Sequence, residues 1–142
     1  MLANQHQLPL FVYGTLMIGE RNYIDILHQN VSRYESATVK GDLYYYRKED
    51  YPALVKGAHE VQGQLFYVQN LETVLPSLDV IEGYYAEDDP RNMYDRKIVS
   101  VTTKSGEQKL AYTYMINPRL VKKQQKEFTL MNPKCWKTFR GR

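Results

Sequence analysis

Phe11-Val12-Tyr13-Gly14-Thr15-Leu16 joins an apolar run that reads as a buried strand to a glycine turn carrying a hydroxyl. The run from Leu8 to Tyr13 is apolar almost throughout, as expected of a strand covered on both faces. A Gly directly after it lets the chain bend sharply and lets another molecule come close to the main chain. The turn then exposes amide donors that a ligand's oxygens can accept. The same Gly is also the commonest way to end any strand, so the corner gains weight only from what accompanies it.

Working outward, Asn22 is a helix N-cap candidate, and Tyr23, Ile24, Ile26, Leu27 and Val31 recur at near-helical spacing, predicting a short helix that ends near Gln29-Asn30. Four stretches rich in β-branched residues and tyrosine follow: 37–39, 43–46, 52–55 and 61–68. They predict strands separated by turns, with Gly41 and Gly63 as candidate bulges. Pro76 tolerates only a helix start, so the next helix is placed from Pro76 through Ile81, with Gly83 as its C-cap. Leu78 and Ile81 would face inward, and Asp79 and Glu82 share a neighbouring face at i,i+3. A polar segment, 87–92, leads to a long strand, 93–103. A hairpin turn at Lys104-Ser105-Gly106 then returns the chain antiparallel through 108–116, with Leu110, Tyr112 and Tyr114 on one face.

Length and composition bound the answer. At 142 residues, 43% hydrophobic and 25% charged, the chain reads as one soluble globular unit with enough length to bury a core. No apolar run approaches the roughly 20 residues that a spanning helix needs, and the N-terminus shows no targeting pattern, so a cytoplasmic location without membrane contact is expected. Cys135 is the single cysteine and forms no internal disulfide; His6, His28 and His59 are far apart, and no metal is expected. Charge is uneven: residues 119–142 carry +7 and residues 1–118 carry −4. The chain is accordingly divided into a domain at 1–118 and a basic extension at 119–142 packed on it. Phe128, Trp136 and Phe139 are expected to fold that extension back onto the body; nucleic acid is not the expected partner, and a homodimer contact is one use such a tail could serve.

Glu82 is the ionisable residue with the strongest case for chemistry. It ends a short helix whose C-terminal dipole is negative, and Asp79 lies one turn back, so both oppose its ionisation. Burial would act in the same direction and move the carboxyl group toward the range useful to a proton-transfer catalyst.

Several segments occur in one order: Phe11 to Leu16, Tyr51-Pro52-Ala53-Leu54-Val55, Val61 to Val68, Leu78-Asp79-Val80-Ile81-Glu82-Gly83-Tyr84, Met93-Tyr94-Asp95-Arg96 and Ala111-Tyr112-Thr113-Tyr114. On these residues the chain resembles the γ-glutamylcyclotransferase-like (AIG2-like) family, including its γ-glutamylamine cyclotransferase branch. The resemblance implies an α+β fold, a small mixed β-barrel with short flanking helices. It also implies a cofactor-independent enzyme that converts a small γ-glutamyl amine or peptide to 5-oxoproline and the free amine. Carried over residue by residue, it puts Tyr13, Gly14, Thr15 and Leu16 at the substrate's amino acid end and Glu82 at the chemistry as acid/base. A late-strand tyrosine lines the same pocket, with Tyr112 and Tyr114 both open as candidates. The segment 84–92 is longer and more acidic than in some relatives, and is placed as a cover over the pocket. That departure motivates an alternative, a binding or interaction protein that keeps the fold and cavity without turnover.

Overall fold

The computed structural model describes residues 8–20, 23, 27–131 and 134–140. The apolar run before Gly14 forms β1 (Leu10–Val12), a three-residue strand with every side chain buried. It is central because it pairs on both edges: antiparallel to β3 (Tyr51–Val68), with Phe11 opposite Leu65, and parallel to β5 (Gln108–Ile116), with Leu10 opposite Tyr112. The buried Thr113 hydroxyl donates to the Phe11 carbonyl at 2.9 Å, adding a side-chain tie to this short parallel contact.

The tyrosine-rich region forms two long strands rather than four short ones. β2 (Val31–Tyr46) and β3 pair antiparallel from Val31 opposite Val68 to Tyr46 opposite Tyr51. Gly41, a candidate bulge, stands at one: Gly41 faces His59 while Asp42 faces Val55, so the extra residues lie on β3 and the ladder continues. Bending there lets β2 serve two neighbours. Residues 37–39 pair with β4 (Tyr94–Thr103), and residues 44–46 pair with β6 (Phe128–Leu130). β4 returns antiparallel into β5 through the hairpin at 104–106, with Tyr94 opposite Ile116. The pairings β3–β1–β5–β4–β2–β3 close a five-stranded mixed barrel, and β6 extends it on one side. This is the small mixed barrel with short flanking helices expected of the sequence.

Helix α1 (Leu71–Glu82) begins five residues before its expected start, with Pro76 inside it. Pro76 is the sixth residue of the helix, past the first turn, so it forfeits the intrahelical hydrogen bond to the Glu72 carbonyl. Leu71, Val74 and Leu78 are buried on one stripe, at about 1.5–3 kcal/mol each, and this offsets the loss. Ile81, expected to face inward, is only half-buried. Of the helix predicted from Asn22 to Gln29-Asn30, positions 22 and 24–26 lie outside the described residues, and Val31, counted in its spacing, is the first residue of β2. Tyr23 and Leu27 are described, and the His28 N–H donates to the Tyr23 carbonyl at 2.9 Å.

The basic tail lies against the barrel. Asn117 caps α2 (Pro118–Lys123) by accepting the Arg119 N–H at 3.0 Å, with Pro118 at the first helical position. Beyond β6, Trp136 in α3 (Trp136–Arg140) is fully buried and donates to Glu20 at 3.0 Å, stacking with Tyr45 and Phe139. Phe128 stacks on Tyr46 at 4.3 Å. Among the described residues, no helix is long and apolar enough to cross a membrane.

Candidate active site

Two sharp backbone features meet at one end of the barrel. The first is the turn after β1, closed by the Met17 N–H donating to the Gly14 carbonyl at 3.0 Å. A Cβ at position 14 would stand 2.6 Å from Pro52 Cγ, so the proline ring of β3 fits against the turn only because residue 14 has no side chain. The second is the end of α1. Gly83 takes the left-handed conformation at φ 66°, its N–H donates to Val80 at 3.2 Å, and the Tyr84 N–H reaches the Asp79 carbonyl at 2.8 Å. That glycine stop leaves Glu82 in the last helical turn.

Between them lies a small cavity of about 30 Å³ that is half open to solvent. It is lined by residues 11–16 with Tyr51, Pro52, Glu82, Tyr94 and Tyr114. Glu82 is half-buried as a residue, but its carboxyl lies deep enough that burial alone pushes its pKa up to about 8. The negative contribution expected from Asp79 is not among the causes. Asp79 is occupied elsewhere, accepting from Arg96 and from the Tyr114 hydroxyl.

Four tyrosines line the cavity, and three of them, Tyr13, Tyr94 and Tyr114, spend the hydroxyl proton on a protein acceptor. Tyr13 donates to the Tyr114 carbonyl, Tyr94 to the Pro52 carbonyl at 2.9 Å, and Tyr114 to Asp79 at 2.7 Å. Burial first, and then nearby negative charge including Glu82, raises the pKa of all three, so they stand as neutral phenols. With these three phenolic protons committed to the surrounding shell, Glu82 is the carboxyl group in the lining that can exchange a proton with anything bound there.

Tyr13, Gly14, Thr15, Leu16, Glu82 and Tyr114 therefore share one cavity, whereas Tyr112 stands outside it, half-buried beside the Arg96 guanidinium. Strand alternation puts both late tyrosines on one face; α1, through Asp79, covers only Tyr114. Sequence reasoning assigned no role to Tyr51, Pro52 or Tyr94, although each sat in a quoted segment. A proline inside a run of strand-forming residues was the available signal, because such a residue marks a specialised stretch of ladder.

The segment 84–92 does not cover the pocket, since none of its residues lines the cavity. The buried Asn92 folds it on itself, accepting the Tyr85 N–H at 2.7 Å and donating to Ala86 at 2.7 Å and to Asp95 at 2.9 Å. Among the described residues, no cluster of three His, Cys, Asp or Glu side chains is placed to hold a metal ion.

Comparison with known proteins agrees with this architecture. The chain is 33% identical over 108 residues to the γ-L-glutamyl-butirosin B γ-glutamyl cyclotransferase of Niallia circulans, a match covering 76% of this chain and 66% of that relative. The match thus spans just under two thirds of the relative's length. The fold is similar to that of YkqA from Bacillus subtilis, with a TM-score of 0.66 and 26% identity over 94% of this chain and 40% of that one. It is also similar to an AIG2-like protein from Mus musculus, with a TM-score of 0.61 and 24% identity over 80% of this chain and 82% of that one. The family described as "Gamma-glutamyl cyclotransferase, AIG2-like" matches residues 10–138, and the chain belongs to that family.

Proposed function

We propose that the protein is a γ-glutamyl cyclotransferase that converts a γ-glutamyl amine or peptide to 5-oxoproline and the free amine, with Glu82 as acid and base. The observation that carries the reading is the placement of one buried carboxyl group across a single cavity from the Tyr13–Leu16 turn. The name of the Niallia circulans relative supports a γ-glutamyl compound as the substrate class.

In this mechanism the turn at 14–16 receives the substrate's α-carboxylate on backbone amides, and the tyrosine walls hold the chain curled. Ionised Glu82 takes a proton from the α-ammonium, and the freed amine attacks the γ-carbonyl carbon of its own molecule. A carbon–nitrogen bond forms to close the five-membered lactam, Glu82 returns the proton to the leaving nitrogen as its bond to carbon breaks, and the ring nitrogen's second proton then passes through the ionised Glu82 to the departing amine, which leaves as an ammonium. Proximity is built into the substrate, so the protein's share is orientation and proton transfer. A carboxyl group with a pKa near 8 is suited to both transfers near neutral pH.

Incubation with a panel of γ-glutamyl amines and peptides should release 5-oxoproline, and Glu82→Gln should lower kcat by at least ~10²-fold. Turnover that survives Glu82→Gln removes Glu82 from the chemistry. Binding without turnover was motivated by the segment 84–92, which does not reach the cavity; a panel that stabilises the protein thermally yet yields no product would restore it.

A further inference from the structure

Asp79 stands one helical turn before Glu82, yet its carboxylate is turned to a different task. The Tyr114 hydroxyl donates to Oδ1 at 2.7 Å, and Arg96 Nη1 donates to Oδ1 at 3.0 Å and to Oδ2 at 2.8 Å. Arg96 sits on β4 directly opposite Tyr114 on β5. The ion pair is well shielded, with side-chain exposures of 24% and 20%, a setting in which removing one partner strands the other charge. α1 has no basic residue in its last turn, so Arg96 also brings a cation from the sheet to the negative end of the helix. Its guanidinium carbon lies 5.1 Å from the centroid of the Tyr84 ring and 5.7 Å from that of Tyr112, and these two rings flank it.

Tyr114 is the link to the cavity. Tyr114 lines the cavity, and its backbone carbonyl, held in the β5 ladder, accepts the Tyr13 hydroxyl, so its side chain is the part of this wall that the bond to Asp79 orients. Arg96 does not line the cavity and would act only through this chain of contacts.

We propose that Arg96 is a positioning residue: by holding Asp79 it commits the Tyr114 hydroxyl to that carboxylate and so sets the wall against which a substrate closes on itself. This rests on the cyclotransferase reading given above. It assigns Tyr112 to the support of Arg96 and not to the substrate.

The test is a double-mutant cycle with a γ-glutamyl compound that the wild type turns over. Arg96→Gln and Tyr114→Phe are each expected to lower kcat about tenfold, the worth of one shielded hydrogen bond, while KM changes less than about twofold. The double variant should lose no more than either single one, and Arg96→Lys should recover most of the loss. Losses that multiply, or an Arg96→Gln enzyme with wild-type kcat, overturn the proposal. Should Arg96→Gln fail to fold, Asp79→Asn with and without Tyr114→Phe runs the same cycle with the same two outcomes. If the wild type turns over no γ-glutamyl compound, the cyclotransferase reading fails on its own, and proton NMR of the Tyr114 hydroxyl decides the role of Arg96. A protected hydroxyl resonance in the wild type and in Arg96→Lys that disappears in Arg96→Gln supports the positioning role; its retention in Arg96→Gln overturns it.

Discussion

Glu82 carries a free-energy cost that can be measured without any substrate. Its folded pKa of about 8 lies above the ordinary value of 4.5, so between those limits the folded chain binds more protons than the unfolded one. Stability contributed by the neutral carboxyl is fully present below the ordinary carboxylate range and is lost as pH rises toward about 8. Chemical unfolding of the wild type should therefore show stability declining from pH 5 to pH 8. In Glu82→Gln, which keeps the shape and cannot ionise, most of that slope should vanish. If the reading of function is correct, the acidic limb of kcat/KM in the wild type should fall near the same pH, since only ionised Glu82 accepts the first proton. A limb near 4.5 would mean that the carboxyl group is solvated in the working enzyme.

At the scale of elements, two glycines decide where the site's components stand. Gly83 ends α1 at φ 66°, and a Cβ there would come within 2.9 Å of Met93 Cβ. Gly83→Ala should cost about 1–2 kcal/mol, read as a lower urea midpoint, and should lower kcat as well because the last turn bearing Glu82 shifts. Gly14→Ala meets Pro52 at 2.6 Å, and its damage should appear chiefly as a raised KM, because the turn must part from the proline wall. These two corners were legible in the sequence, since a glycine that closes an apolar run has few alternatives. The start of α1 was not. Pro76 argued locally for a helix beginning there, and only burial of Leu71 and Val74 against the barrel reveals that the helix begins earlier. Strand continuity was missed for a similar reason: Gly41 was legible as a bulge, but that the ladder continues across it is set by the partner strand.

For the whole molecule, the basic tail is part of the structure that supports the site's end of the chain. Trp136 is fully buried, bonds to Glu20 in the segment that follows the Gly14 turn, and stacks with Tyr45 of β2. Trp136→Ala should destabilise the protein by about 3–5 kcal/mol, measured by denaturant unfolding, far beyond what loss of a surface aromatic would cause. The concentration of charge in residues 119–142 was visible in composition. The stacking that covers Tyr45 and Tyr46 was visible only as a spacing of aromatics.

The sequence by itself determined the opening strand, the hairpin of β4 and β5, the glycine corners and the family, because these depend on local backbone permission and on apolar pattern. Only the tertiary structure decided that Tyr114 and not Tyr112 faces the cavity, that the segment 84–92 folds on itself, and that Asp79 is held by Arg96. The physical reason is common to all three. Each depends on which element covers a given face, and that is set by contacts between residues far apart in the chain.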